Sequence, residues 1–173
     1  MSRKKVNERA KVSTNVRNND KPRTKSVYID FSKYDRWAHS FSYNGFSNKL
    51  KNGEQLGENL FYLINQLIPE VENNLNEILN GSHRHCHRLD DKHCQMAKDI
   101  INHHFGIKVG DVELWQFGVK QGLRLIGEIV TDKEGYNVLY PLLIDYHHLI
   151  YPDQKHNTLD IKNYKFVPQD EYN

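Results

Sequence analysis

The stretch 113–152 constrains the fold more than any other part of the chain: ELWQFGVKQGLRLIGEIVTDKEGYNVLYPLLIDYHHLIYP. Its β-branched and aromatic residues form three blocks, separated by Gln121-Gly122 and by the turn residues 132–135. Blocks of this kind predict three consecutive strands, and the short connections predict an antiparallel meander. The third block is apolar on both faces up to Asp145, as in a central strand. Pro141 cannot donate a hydrogen bond to a neighbouring strand, so it predicts a bulge or an edge.

Alternation within the first two blocks predicts which side chains face the core. Trp115 and Phe117 share one face of the first strand, and the opposite face, with Gln116, is free to carry polar groups. Leu123, Leu125 and Ile129 share one face of the second strand. We therefore expect these apolar side chains to pack together, with Trp115 buried.

The first half of the chain contributes helices and a small number of short strands. Apolar residues at helical spacing predict helices over 54–68, 69–80 and from Asp90 or Asp91 to about His104. Short strands are expected at 27–31 and 37–43, with Asn44-Gly45 as a turn. In the tail, the apolar residues Tyr164, Phe166 and Val167 are expected to dock on the sheet. The predicted class is α+β, an antiparallel sheet packed by about three helices.

Charge divides the chain into an arm and a body. Residues 1–26 hold nine Lys or Arg against two acidic residues, whereas the remainder holds 15 against 20. The arm lacks apolar periodicity and is expected to be flexible, with residues 27–173 forming a single domain. A basic arm of this kind can bind nucleic acid, and the alternative is a solubilising tail or one that orders against a partner.

The setting predicted from composition is cytoplasmic. Two cysteines cannot form a disulfide framework, and no apolar run reaches the about 20 residues that cross a bilayer. The arm has no apolar core and does not resemble an export signal. No membrane association is expected.

Potential proton carriers and cations collect where the third predicted strand ends. Asp145, His147, His148 and Tyr151 follow one another closely, and Arg124 begins the neighbouring strand. Histidine suits proton transfer near neutral pH, and arginine suits phosphate recognition. These five residues are therefore the candidate catalytic set, in which His148 is favoured over His147 and Asp145 orients a histidine. The alternatives are that Arg124 is a cross-strand partner of Glu113 or Glu128, that the histidines are surface polar residues and that the tyrosines are packing aromatics.

The order LWQFGV, LRLIGEIV, VLYPLLIDYHHLIY resembles the C-terminal three strands of the RelE/ParE-like toxin superfamily, with Arg124, His147 or His148, and Tyr151 or Tyr146 at matching positions. The stretch is also similar to uncharacterised proteins of bacteria and mobile elements. The resemblance implies a RelE-like fold and a metal-independent endoribonuclease that cleaves RNA by 2′-OH attack. It also implies RNA or the ribosome as partner, and a cognate antitoxin.

Seven cations are candidates for nucleic-acid contact. They lie at the predicted hairpin turn, in the arm and in a His/Arg-rich segment: Lys120, Lys4, Lys5, Arg9, Lys11, Arg84 and Arg88. Trp37 or Tyr43 on an exposed face would be able to stack a base.

The segment SHRHCHRLDDKHC at 82–94 is dense in zinc-type ligands, namely His83, His85, Cys86, His87, His93 and Cys94. Its spacing matches no familiar finger, so no metal or other cofactor is favoured. The alternatives are a surface loop that contacts RNA phosphates and a plain loop with a buried cysteine.

Two further functions compete with the endoribonuclease. One is a non-catalytic protein of a mobile element or phage that binds and inhibits a partner protein or nucleic acid. The other is a metal-dependent hydrolase that uses His83, His85, His87 and the distal Asp/His cluster.

Overall fold

The computed structural model describes residues 27–119, 123–152 and 161–172. Its centre is a five-stranded sheet in the order β1-β7-β6-β5-β4. The strands are β1 (Val27–Ile29), β4 (His87–Arg88), β5 (Leu114–Phe117), β6 (Arg124–Thr131) and β7 (Asn137–Asp145).

The predicted meander is confirmed, since β5, β6 and β7 pair as consecutive antiparallel neighbours. The β6–β7 register shifts between Ile126 and Gly127, and Gly127 pairs with Pro141. A Cβ at Gly127 would lie 2.7 Å from the carbonyl oxygen of Tyr140, so the irregularity needs glycine opposite the proline. The bulge predicted from Pro141 is therefore present.

The sheet is mixed, and the prediction of a wholly antiparallel one is wrong. β1 runs parallel to β7, so that Val27 pairs with Asn137 and Ile29 with Leu139. This pairing makes β7 the internal strand that its apolar faces predicted. The residues 27–29 alone do not predict a parallel neighbour, because the direction of pairing is set by the connection between two strands and not by the residues of either strand.

One long helical stretch covers one face of the sheet. It consists of α1 (Gly53–Tyr62), a π-helical turn (Leu63–Leu67) and α2 (Ile68–Leu79). The two helices predicted with a junction at Pro69 are joined by the π-helical turn, which ends at Leu67. Within α2, Asn74 marks a kink, with φ of −120° and ψ of 21°. The π-helical turn places both Leu63 and Leu67 in the core.

The opposite face is covered by α3 (Asp91–Phe105), close to the predicted bounds. Asp90 caps its N-terminus by accepting a hydrogen bond from the backbone N–H of His93 at 3.0 Å. Gly106 ends it in the left-handed conformation, with φ of 67°.

Helices on both faces give two apolar clusters, one on each side of the sheet. One contains Trp115, Phe117, Leu123 and Leu125 against the α1–α2 stretch, as the alternation predicted. The other contains Leu114 and Ile126 against α3. All four residues of β5 are buried, Gln116 included, so the prediction of an open polar face on this strand is wrong. The physical reason is that α3 covers that face.

A separate hairpin of β2 (Ser42–Tyr43) and β3 (Phe46–Ser47) lies before α1, and its turn is the predicted Asn44-Gly45 pair, with φ of 46° and 84°. The strand predicted over 37–43 is wrong for its first half, since Trp37 lies in a turn and packs on Phe31 at 4.9 Å between ring centroids. The tail supplies a 3₁₀ turn (Ile161–Asn163) and α4 (Pro168–Glu171).

The tail docks as predicted through an isolated bridge between Leu50 and Phe166, whose backbone groups exchange hydrogen bonds of 3.0 and 2.9 Å. Within the described ranges, none of the helices is both long and apolar enough to cross a bilayer. The predicted flexible arm, residues 1–26, lies outside the described residues.

Asn48 ties the hairpin to the sheet from a fully buried position. Its Nδ2 donates to the carbonyl oxygens of His39 and Ile144, both at 3.0 Å, and its Oδ1 accepts from the N–H of Phe41 at 2.7 Å. One side-chain amide therefore satisfies three backbone groups, two of them in residues 39–41 just before the hairpin and one in β7.

We expect Asn48→Ala to lower the free energy of unfolding by about 3 kcal/mol, because it leaves three backbone groups unsatisfied. Urea unfolding followed by circular dichroism measures this change. The control is Asn65→Ala, which removes one exposed hydrogen bond to the carbonyl oxygen of Phe61 and should cost less than about 0.5 kcal/mol. Equal losses in the two variants would contradict this role of Asn48.

Candidate nucleic-acid interface

A cavity of about 1000 Å³ lies between the β2–β3 hairpin and the tail. We call it the lysine groove. Its lining combines cations, tyrosines and small polar side chains, with no Asp or Glu among the described residues: Ser42, Tyr43, Asn44, Gly45, Phe46, Ser47, Lys49, Leu149, Ile161, Lys162, Tyr164 and Lys165. Lys162 and Lys165 are exposed, and Lys49 is partly buried.

The two walls of the lysine groove are held together by backbone contacts. The Leu50–Phe166 bridge fixes the segment that carries Tyr164 and Lys165. Gln169 adds a second tie, donating from Nε2 to the carbonyl oxygen of Ser40 at 2.7 Å and accepting from its N–H at 3.0 Å. The groove is thus built from segments far apart in sequence, and its shape depends on the docked tail.

His147, a predicted catalytic residue, supports the floor of the groove and is buried. Its Nε2 lies 2.7 Å from the carbonyl oxygen of Lys49, to which it donates a hydrogen bond, and its ring centroid is 5.2 Å from that of Tyr164. The expected role in proton transfer to RNA does not fit this position, because the nitrogen is engaged with backbone inside the protein. His147 instead positions a lysine and a tyrosine of the groove.

Asp145 shapes the loop that follows β7 and is fully buried. One carboxylate oxygen accepts from the N–H of His147 at 3.1 Å, and the other accepts from the N–H of Ile150 at 2.8 Å. His148 lies in this loop in the left-handed conformation, with φ of 55°, and is partly buried. Asp145 therefore orients the backbone of the loop, where the sequence predicted that it orients a histidine ring.

Arg124, a predicted catalytic residue, is buried, with 7% of its surface exposed. Its Nη1 donates to the carbonyl oxygens of Val119 at 3.3 Å and Leu123 at 3.2 Å. Burial lowers the pKa of its guanidinium, and the charge of Asp145, its partner in strand register, opposes that shift. The guanidinium occupies the space above Gly118, where an added Cβ would lie 2.6 Å from Arg124 Cδ.

The cross-strand partners considered for Arg124 are engaged elsewhere. Glu128 is buried and contacts Lys33 and the hydroxyl of Tyr34. Glu113 forms an exposed ion pair of 2.9 Å with Arg88, one of the predicted RNA contacts. Arg84, another predicted contact, is exposed, and Lys120, Lys4, Lys5, Arg9 and Lys11 lie outside the described residues.

The candidate zinc ligands at 83–94 point to separate partners. His83 Nε2 lies 3.0 Å from a carboxylate oxygen of Glu70, and Cys86 is buried against the backbone of Gly118. His93 contacts Asp90, and in the described part of the chain no group of three or more His, Cys, Asp or Glu is arranged to hold a metal ion.

Tyr151 is brought together with residues that the sequence assigned to the metal segment. Its hydroxyl donates to Asp90 Oδ2 at 2.8 Å, and its ring stacks on that of His93 with centroids 3.7 Å apart. The predicted catalytic set is thereby divided, with Arg124, Asp145 and His147 in the core and Tyr151 at the N-terminus of α3.

Sequence reasoning missed the three lysines of the groove. Lys162 and Lys165 lie in a tail with weak periodicity, and Lys49 lies in a turn region, so no local pattern marks them as one site. The only available signals were Tyr43 as a stacking candidate and the expectation that the tail docks.

The fold and groove define an α+β protein with a mixed sheet and a basic groove formed at the docked tail. The chain belongs to the family described as "Uncharacterised protein UU032", whose model matches residues 32–173. The protein of that name from Ureaplasma parvum serovar 3 is 28% identical over 175 residues, covering 98% of this chain and 96% of the relative. No solved structure matches this chain significantly.

We expect Arg124→Ala to lower the free energy of unfolding by about 3 kcal/mol, because it leaves Asp145 buried without its in-register cation. Thermal and urea unfolding measure the loss. The matched control is Arg88→Ala, which breaks an exposed ion pair and should cost less than about 1 kcal/mol. Unchanged stability in Arg124→Ala would show that the guanidinium does not support the sheet.

The two cysteines should differ in reactivity. Burial raises the pKa of the Cys86 thiol from 9.0 to about 11, partly offset by the N–H of Gly118 at 3.4 Å, whereas Cys94 is only partly buried. In native protein near neutral pH, a thiol reagent should therefore label Cys94 alone, and both residues should react in denaturant. Because the folded pKa of Cys86 is raised, its contribution to stability is present below pH 9.0 and lost as the pH rises towards 11.

The control for this labelling is Cys94→Ser, which should leave the native protein unreactive. Rapid native labelling of Cys94→Ser would show that the Cys86 thiol is accessible and that the contact with Gly118 is open in solution.

Proposed function

We propose that the protein binds single-stranded RNA in the lysine groove. The observation that carries this proposal is the convergence of three lysines, with no carboxylate in the described lining, on one cavity of about 1000 Å³. The body of the chain holds more acidic than basic residues, so this local excess of positive charge does not follow from composition. Lysines held together in a concave surface favour a polyanion.

The rest of the groove lining supports a single strand. Tyr43 and Tyr164 are partly exposed, and aromatic rings beside cations are the usual means of holding unpaired bases. Ser42 and Ser47, whose hydroxyls lie 3.0 Å apart, and Asn44 offer donors and acceptors to a ribose 2′-hydroxyl. These polar groups are the reason for proposing RNA over DNA.

The sequence left two classes of partner open, nucleic acid and protein. We propose nucleic acid. This proposal does not use RNA cleavage by Arg124 and His147, because both side chains are buried and bonded to backbone. In the full chain, the nine Lys or Arg residues of the basic arm add long-range electrostatic attraction for RNA.

We expect Lys162→Ala/Lys165→Ala to weaken binding of a short, fluorescently labelled, mixed-sequence single-stranded RNA. The plot of log K against log salt should become less steep by about 1.4, since each lost phosphate contact on a single strand contributes about 0.7. Fluorescence polarisation at several salt concentrations measures both quantities. Stability should be unchanged, because both lysines are exposed.

The matched control is Lys98→Ala/Lys133→Ala, which removes the same charge from α3 and from the β6–β7 turn, outside the groove. Its salt slope should equal that of the wild type. Equal slopes for the two double variants would rule out the groove as the binding site, and loss of all binding on deletion of residues 1–26 alone would assign the RNA to the arm.

A further inference from the structure

The outer face of the α1–α2 stretch carries an exposed apolar patch. Phe61 and Ile64 are three residues apart on the helix and expose 66% and 60% of their surface. Gly57, one turn before Phe61, adds no bulk, since a Cβ there would meet nothing within 4 Å. Two large apolar side chains together on one helix face need an explanation that singly exposed residues do not. We call Gly57, Phe61 and Ile64 the helix patch.

The helical stretch around the helix patch is acidic. Between residues 52 and 83 the chain holds five Glu and no Lys or Arg. Glu54 and Glu58 are exposed and share a helix face with Phe61, since the spacings are four and three residues. Glu77, near the end of α2, is also exposed. Within the described ranges none of these three carboxylates forms an ion pair, so all three are available to a cationic partner.

The chain enters the described structure beside this helical stretch. Val27 is fully buried in β1 and belongs to the same apolar cluster as Val71 and Leu75 of α2. The stretch from Gly53 to Leu79 is about 40 Å long at about 1.5 Å per residue. About 12 extended residues cover that length. The 26 residues that precede Val27 are therefore more than long enough to reach the helix patch.

We propose that residues 1–26 of the same chain dock on the helix patch. These residues hold nine Lys or Arg against two acidic residues, a net charge of +7 that complements the acidic helix. Their apolar side chains include Val6, Val12 and Val16, which are spaced among the cations. Docking covers the exposed apolar surface with valines and places Lys and Arg near the helix carboxylates.

The chain's own arm fits this surface better than a second copy of the helix does. In a symmetric dimer the same patch lies on both sides of the contact, so Glu54 and Glu58 of one copy would face the carboxylates of the other and repel them. The arm brings the opposite charge and is covalently tethered, which gives it a high effective concentration at the patch. Its net charge of +7 exceeds the five Glu, so a docked arm remains cationic and the inference is independent of the proposed RNA binding.

The test uses the full chain, enriched in ¹⁵N, with a nitroxide spin label on Ser13→Cys in a Cys94→Ser background, where the remaining Cys86 is buried. Docking should broaden the amide NMR signals of residues 54–68 at low salt. In about 1 M salt the Debye length falls to about 3 Å, so most of the lost signal intensity should return.

Two double variants separate the two parts of the contact. Glu54→Gln/Glu58→Gln removes charge, and Phe61→Gln/Ile64→Gln removes apolar surface. Each should abolish most of the broadening over residues 54–68. Thermal unfolding should be unchanged, because all four side chains are exposed and glutamine is a good helix former.

The matched control is Glu134→Gln/Glu171→Gln, which removes the same charge at exposed positions in the β6–β7 turn and in α4. Its broadening should equal that of the unsubstituted labelled protein. Broadening that is as strong over α3 as over residues 54–68, or that is equal in all the variants, would overturn the proposal.

A mixture of spin-labelled protein without ¹⁵N and ¹⁵N-enriched protein without the label tests for contact between molecules. No broadening is expected in this mixture. Broadening of residues 54–68 there, as strong as within the labelled chain, would assign the helix patch to the arm of a second copy and overturn docking within one chain.

Discussion

The buried carboxylate of Asp145 is the constraint on which the shape of the lysine groove depends. It ends β7 opposite Arg124 and accepts the N–H groups of His147 and Ile150. A charge at 0% exposure is tolerated only where hydrogen bonds and an opposite charge replace water. Because those partners are backbone groups of a tight loop, the electrostatic requirement of one side chain sets the course of residues 145–150.

The sequence predicted most of the framework because its signals were local. Strand blocks, the turn pair at Asn44-Gly45 and the capping residues Asp90 and Gly106 are each read within a few positions, and the structure confirms them. Two errors share one cause. The parallel pairing of β1 with β7 depends on which strands become neighbours, and the burial of Gln116 depends on which helix covers the sheet. Both are properties of the tertiary structure, which the residues of a single strand do not determine.

The candidate site was harder to predict for a related physical reason. Polar residues at a strand end predict chemistry only when they remain accessible, and the same residue types also satisfy buried backbone. Arg124 and His147 serve the second purpose, donating to the carbonyl oxygens of Leu123 and Lys49. Conversely, the lysines of the groove carry no motif, since they meet only after Phe166 bridges to Leu50.

One loop, residues 145–151, connects the core to the groove and to the N-terminus of α3. From the buried Asp145 the chain passes His147, which supports Lys49, then Leu149 in the groove wall, then Tyr151 on Asp90. A bound strand is held most tightly where the groups that contact it are already in place before binding. A seven-residue segment anchored at both ends provides that placement without a moving domain. The geometry therefore favours a rigid groove, whose affinity is set by the same contacts that hold this loop.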